Sequence, residues 1–100
     1  MTRRAPQACD SMAQLRAGID DLDRELIRLL AERSRYIARA VVLKRSAGLP
    51  ARIETRVNEV MSNALNEAKR HDLDPRMVER LWDTMMDYFI AYEERHLGLQ

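Results

Sequence analysis

Three ionisable side chains stand where a helix would carry apolar ones. At about 100° per residue, Arg33 points the way Leu26, Ile37 and Ala40 point, and Lys44 falls only about 20° away from it. Arg35, Arg39 and Arg45 fall elsewhere and read as solvated charges. An unpaired cation on an apolar seam is costly, so each needs a partner, either an internal carboxylate or a bound anion. Snorkelling to solvent would explain one such residue. Two cations on one seam, with no carboxylate between them on that stripe, point to an anion. Glu93 repeats the pattern in the third helix, within about 20° of Trp82 on the stripe that also holds Met86. It reads as a structural ion pair with Arg33 or Lys44, or as a functional carboxyl. Arg56 borders the apolar stripe of the second helix beside Val60 and alone would read as a rim salt bridge. Arg16 projects about 100° around the first helix from Arg33, so it would more easily serve a pocket in a second copy than the same pocket within one chain.

Three helices must position these groups. The first starts at Asp10 or Ser11, either of which can accept from free N–H groups as an N-cap, and runs from Met12 to Arg45 without a proline. Its apolar residues Leu15, Ile19, Leu22, Leu26, Leu29, Leu30, Ile37 and Ala40 recur in steps of three and four. Ala47-Gly48-Leu49-Pro50 is a stop signal. The second helix spans Arg52 to Arg70, with Val57, Val60, Met61, Ala64, Leu65 and Ala68 on one side. Asp74-Pro75 reads as an N-cap followed by proline at the first helical position. The third helix then runs to about His96 with Val78, Leu81, Trp82, Met85, Met86 and Phe89. No segment alternates with the period of a half-buried strand.

The first helix is long for so small a chain. About 35 residues at about 1.5 Å each make a rod of roughly 50 Å. A compact domain of this size has a radius of gyration near ~13 Å. Two shorter helices cannot cover such a rod, so part of its stripe should pack on a second copy, unless the helix breaks near Gly18 or elsewhere, which no proline forces. The expected fold class is all-α, with one long and two shorter helices per subunit in an intertwined homodimer. Residues 1–10 are expected to be a disordered tail before a helical domain at 11–100.

The bulk numbers narrow the function. The chain has 100 residues, 46% hydrophobic and 33% charged, with 3 Gly and 3 Pro, which suits a single helix-rich domain. Its 17 Lys plus Arg balance 16 Asp plus Glu to a net charge of +1, which argues against nucleic acid or an anionic membrane as partner. Cys9 is the single cysteine, consistent with a reducing cytoplasm, and no apolar run is long enough to span a bilayer. His71 and His96 lack metal-ligand spacing, and three scattered glycines cannot build a phosphate loop. No metal and no cofactor is expected.

Leu15-Arg16, Ile19-Asp20, Leu22-Asp23, Leu29-Leu30, Arg33, Lys44, Gly48-Leu49-Pro50 and Arg56, followed by Leu73-Asp74-Pro75, together resemble the helical chorismate mutase family over roughly residues 12 to 97. The spacing of the four cations carries the specificity. The resemblance implies an enzyme, an isomerase that converts chorismate to prephenate in aromatic amino acid biosynthesis. Arg33, Lys44 and Arg56 would line one pocket with Glu93, and Arg16 would enter from the other subunit. The family usually has glutamine where Glu93 stands. An acidic position of its second helix is Ile53 here, a glutamate after Arg56 is Val57, and a small polar residue one turn before Glu93 is Phe89. Those changes make the pocket more apolar and remove contacts to a ring hydroxyl. Tyr88-Phe89-Ile90-Ala91 and Leu49-Pro50-Ala51 also resemble the isochorismate pyruvate lyases, which share the fold, and aminodeoxychorismate mutases are a third relation.

What the resemblance implies for mechanism is positioning and electrostatics, because a Claisen rearrangement needs no nucleophile. Arg16, with Arg33 or Arg56, would grip the two carboxylates of a dianionic substrate through planar forks. Lys44 would face the ether oxygen. An ionised Glu93 can only accept hydrogen bonds there, whereas a protonated one donates. That predicts better activity in mild acid and a gain at neutral pH for Glu93→Gln. The rival from another class is a non-catalytic dimerisation or regulatory module whose Arg33, Lys44 and Glu93 network fixes register.

Overall fold

The computed structural model describes residues 3–98, and among them there are three α-helices, one 3₁₀ turn and no strand. Helix α1 spans Met12–Ala47, α2 Glu54–Arg70 and α3 Pro75–Leu97. The chain divides into two compact units, residues 1–36 and 37–100, with α1 contributing to both.

The first unit starts with the segment read from sequence as a tail. It holds a 3₁₀ turn at Pro6–Ala8, and the Arg3 guanidinium reaches Asp21 at 3.1 Å and Glu25 at 3.2 Å on α1. The hydrogen bond from Arg3 holds the Asp21 carboxyl below its ordinary range. Of the two expected caps, Ser11 fills the role: its hydroxyl accepts from the Gln14 N–H at 3.2 Å, and the Gln14 amide oxygen accepts in return from the Asp10 N–H at 2.8 Å. No residue from 3 to 36 is buried, and Leu22, Leu26 and Leu29 remain 44%, 55% and 47% exposed.

The second unit has its own core. Ala64 and Ala68 of α2 meet Val78 of α3, with Leu65 and Trp82 packed against them. The small alanines let the two helix backbones approach while Trp82 supplies apolar area. Val41 of α1, Ala51 of the connecting loop and Met86 of α3 are also buried. Two positions depart from the expected stripes: Leu81 is exposed, and Val41 is the buried residue of α1 in place of Ile37 or Ala40, which are half-buried.

The same terminating device ends α1 and α2. At the end of α1 the Leu49 N–H donates to the Lys44 carbonyl at 2.9 Å and the Gly48 N–H to the Arg45 carbonyl at 3.4 Å, with Gly48 at φ 68°. At the end of α2 the Leu73 N–H donates to Ala68 at 2.8 Å and the Asp72 N–H to Lys69 at 3.4 Å, with Asp72 at φ 54°. An aspartate thus occupies a left-handed position that glycine fills at the other helix end. Helix α3 then begins as the sequence predicts: the Asp74 carboxylate accepts from the Arg76 N–H at 2.9 Å with Pro75 next to it, and the Arg76 side chain draws the Asp74 carboxyl below its ordinary range.

Candidate active site

The closing turn of α1 fixes Lys44, because its carbonyl is held by the Leu49 N–H. Its side chain crosses to α3, where the ammonium lies 2.8 Å from the Glu93 carboxylate Oε1. The same ammonium donates to the Ala51 carbonyl at 2.7 Å. Glu93 is 5% exposed, the one buried charged residue among those described, and the Lys44 side chain is 19% exposed. A carboxylate buried this deeply is tolerable because a cation neutralises it at hydrogen-bond distance. Glu93 is thus buried on the α3 stripe that holds Trp82 and Met86, and Lys44 is a cation that it meets.

The remaining site candidates lie as follows. Phe89, one turn before Glu93, is half-buried and meets Tyr88 edge to face at 5.1 Å between ring centroids. Ile53 and Val57 are half-buried at the start of α2, and the Ile53 carbonyl accepts from the Arg56 and Val57 N–H groups. The Arg56 side chain is exposed and bonds Glu59 one turn on, the rim salt bridge that its position alone suggests. Arg33 is half-buried and Arg16 is exposed; both belong to the first unit.

Two contributions escaped the sequence. Arg45, read as a solvated charge, donates to the His96 carbonyl in the last turn of α3, so neighbouring residues of α1 hold α3 at positions one turn apart. The cationic end of Arg45 suits the negative end of that helix. Tyr92 and His96 stack with their ring centroids 4.1 Å apart, and the His96 Nδ1 lies 2.8 Å from the Tyr92 carbonyl. The Ala51 carbonyl was invisible to side-chain reasoning, since any residue carries one. Among the described residues, no three His, Cys, Asp or Glu side chains gather as a metal site, and no helix is long and apolar enough to cross a membrane.

A helical chain with a buried ammonium–carboxylate pair at one end of its helices is the class that the fold and site define. Residues 15–94 match the family described as chorismate mutase type II, and the chain belongs to that family. It is 28% identical over 94 residues to the isochorismate pyruvate lyase of Pseudomonas aeruginosa, covering 93% of this chain and 91% of the relative. It is 20% identical over 88 residues to the chorismate mutase of Methanocaldococcus jannaschii, covering 88% of this chain and 89% of that one. No solved structure was found to match.

Proposed function

We propose that the chain is a chorismate mutase that rearranges chorismate to prephenate, working as a homodimer in the cytoplasm. The observation that carries this reading is the buried Lys44–Glu93 pair, in a chain that belongs to a family of this chemistry. The reaction makes no covalent bond to protein. It requires a flexible dianion held in its folded conformer, and stabilisation of the charge that gathers on the breaking ether oxygen. The Lys44 ammonium supplies the positive end at that oxygen. Arginine forks, assigned to Arg33, Arg56 and Arg16 of the partner subunit, take the carboxylates. Glu93 faces the same oxygen and assists more when protonated than when ionised, since only the acid donates. Ile53, Val57 and Phe89 contribute apolar walls.

Dimerisation is supported by the first unit, which has an apolar stripe along α1 and no buried residue among those described. A helix in that condition gains stability by packing its stripe on a second helix. The half-buried free thiol of Cys9 suits a reducing compartment.

Isochorismate pyruvate lyase is a second reading, favoured by the 28% identity to such an enzyme and by the apolar Ile53, Val57 and Phe89. The same positioning groups would serve it, with salicylate and pyruvate as products. One experiment separates the possibilities: purified protein is offered chorismate and isochorismate separately and the products are identified. Prephenate from chorismate supports the mutase, and salicylate plus pyruvate from isochorismate supports the lyase. If neither compound is consumed and neither raises the melting temperature, both readings fail. A helical dimerisation module, with Lys44 and Glu93 fixing register, then replaces them.

A further inference from the structure

The Lys44 ammonium has three N–H donors. Glu93 Oε1 lies 2.8 Å from it as an ion pair, and the Ala51 carbonyl accepts a hydrogen bond from it at 2.7 Å; among the described residues no further partner is seen. These acceptors come from different elements, α3 and the loop between α1 and α2. Ala51 itself is 4% exposed, so its peptide sits in a packed environment that restrains the carbonyl. The backbone that bears Lys44 is fixed as well, through the Leu49 N–H on the Lys44 carbonyl.

From this arrangement we infer that Ala51 is a positioning residue: its carbonyl fixes the direction of the Lys44 ammonium beside Glu93 and leaves an N–H oriented for the substrate. The inference rests on the function proposed above. Without a second acceptor, the ammonium would be free to rotate on its flexible four-carbon stem and give more than one N–H to the two oxygens of Glu93. Such a collapsed pair would neutralise itself and present little directed charge to an oxygen that becomes negative only in the transition state. A fixed carbonyl prevents this without adding a second formal negative charge, which would repel a dianion. The expected signature is therefore in kcat, because the oriented N–H acts in the transition state, and much less in substrate binding.

The test has a spectroscopic arm and a kinetic arm. In protein labelled with ¹⁵N and ¹³C, a hydrogen-bond scalar coupling between the Lys44 Nζ and the Ala51 carbonyl carbon is expected, with slowed exchange of the Lys44 ammonium protons. In a semisynthetic chain, replacing Arg52 by its α-hydroxy acid turns the Ala51–Arg52 amide into an ester, whose carbonyl is a poorer acceptor; the Arg52 N–H so removed donates no hydrogen bond among the described residues. The ester chain should lose about 10- to 100-fold in kcat with KM changed by no more than about twofold. Its melting temperature serves as the check on folding. Absence of the coupling overturns the inference, and so does an ester chain with unchanged kcat. If the ester chain melts early, Ala51→Gly, which loosens the loop while keeping the carbonyl, should show the same loss confined to kcat; equal losses in kcat/KM and stability with kcat intact would overturn it. Turnover of neither chorismate nor isochorismate by the unaltered chain fails the functional reading itself, and the positioning role with it, whatever the coupling shows.

Discussion

The two units of this chain solve the problem of apolar surface in opposite ways. Residues 37–98 include two helices that bury small side chains against each other, Ala64 and Ala68 on Val78, and a charged pair close to the far end of α3. Residues 3–36 bury nothing, and Leu26, in the middle of the stripe, is 55% exposed. The ionic contacts of Arg3 with Asp21 and Glu25, of Arg24 with Asp21, and of Arg28 with Glu25 and Glu32 lie on the surface. Surface pairs of this kind contribute little each. The contrast teaches that amphipathic periodicity has two outcomes: in one unit the stripe finds a partner within the chain, and in the other it stays open, the surface that the proposed dimer would cover.

The sharpest break should come at Lys44. Lys44→Ala removes the only described partner of a buried carboxylate, which costs about 3 kcal/mol of stability, and the proposed function adds a loss of about 1,000-fold in kcat. Thermal melts and single-turnover rates measure the two separately; a variant as stable as the parent would mean that Glu93 is not charged in the folded chain. Next in size is Leu26→Glu, which places a charge on the open stripe. Sedimentation should show dimer converting to monomer with activity lost, and an unchanged mass would remove the idea that a second copy covers α1. In the self-sufficient unit, Val78→Ala should lower stability by about 2 kcal/mol through a cavity between α2 and α3, without altering the dimer. Glu93→Gln is a smaller and opposite change. Its amide can donate where the carboxylate could not, so kcat at neutral pH should rise about tenfold. Equal rates for both across the acid-to-neutral range would remove Glu93 from the chemistry. The smallest effect belongs to the N-terminal segment. Since Arg3 lowers the Asp21 pKa in the folded chain, the contribution of that pair is present above the ordinary carboxylate range and is lost as pH falls through the lowered value. Amide exchange in residues 3–10 should quicken there, as it should in Arg3→Ala at neutral pH.

Much of this was legible in residue types. Ser11 and Asp74 announced helix starts because their side-chain oxygens satisfy free N–H groups, and Gly48 announced an end because the αL position disfavours a Cβ. The start of α2 was placed at Arg52, ahead of the observed Glu54, since its cap residue is Ile53, which offers no side-chain bond. Angles along α3 located Glu93 on a buried face, because a helix of known pitch fixes direction. What direction cannot give is reach. Arg45 lies off the apolar stripe yet its long side chain finds the His96 carbonyl, and Arg56 bonds its helical neighbour Glu59. Backbone acceptors such as Ala51 leave no mark on composition or period at all.

The left-handed Asp72 has a consequence for anyone wishing to make the chain sturdier. It fills the role that Gly48 fills at the end of α1, in a conformation that a glycine or asparagine adopts with less strain. Most of α3, from Pro75 to Glu93, about 27 Å of helix, separates that turn from the carboxylate. Engineering for heat resistance can therefore begin at the hinge end of the α2–α3 hairpin, where a relaxed backbone would toughen the scaffold and leave the chemistry at the opposite end undisturbed.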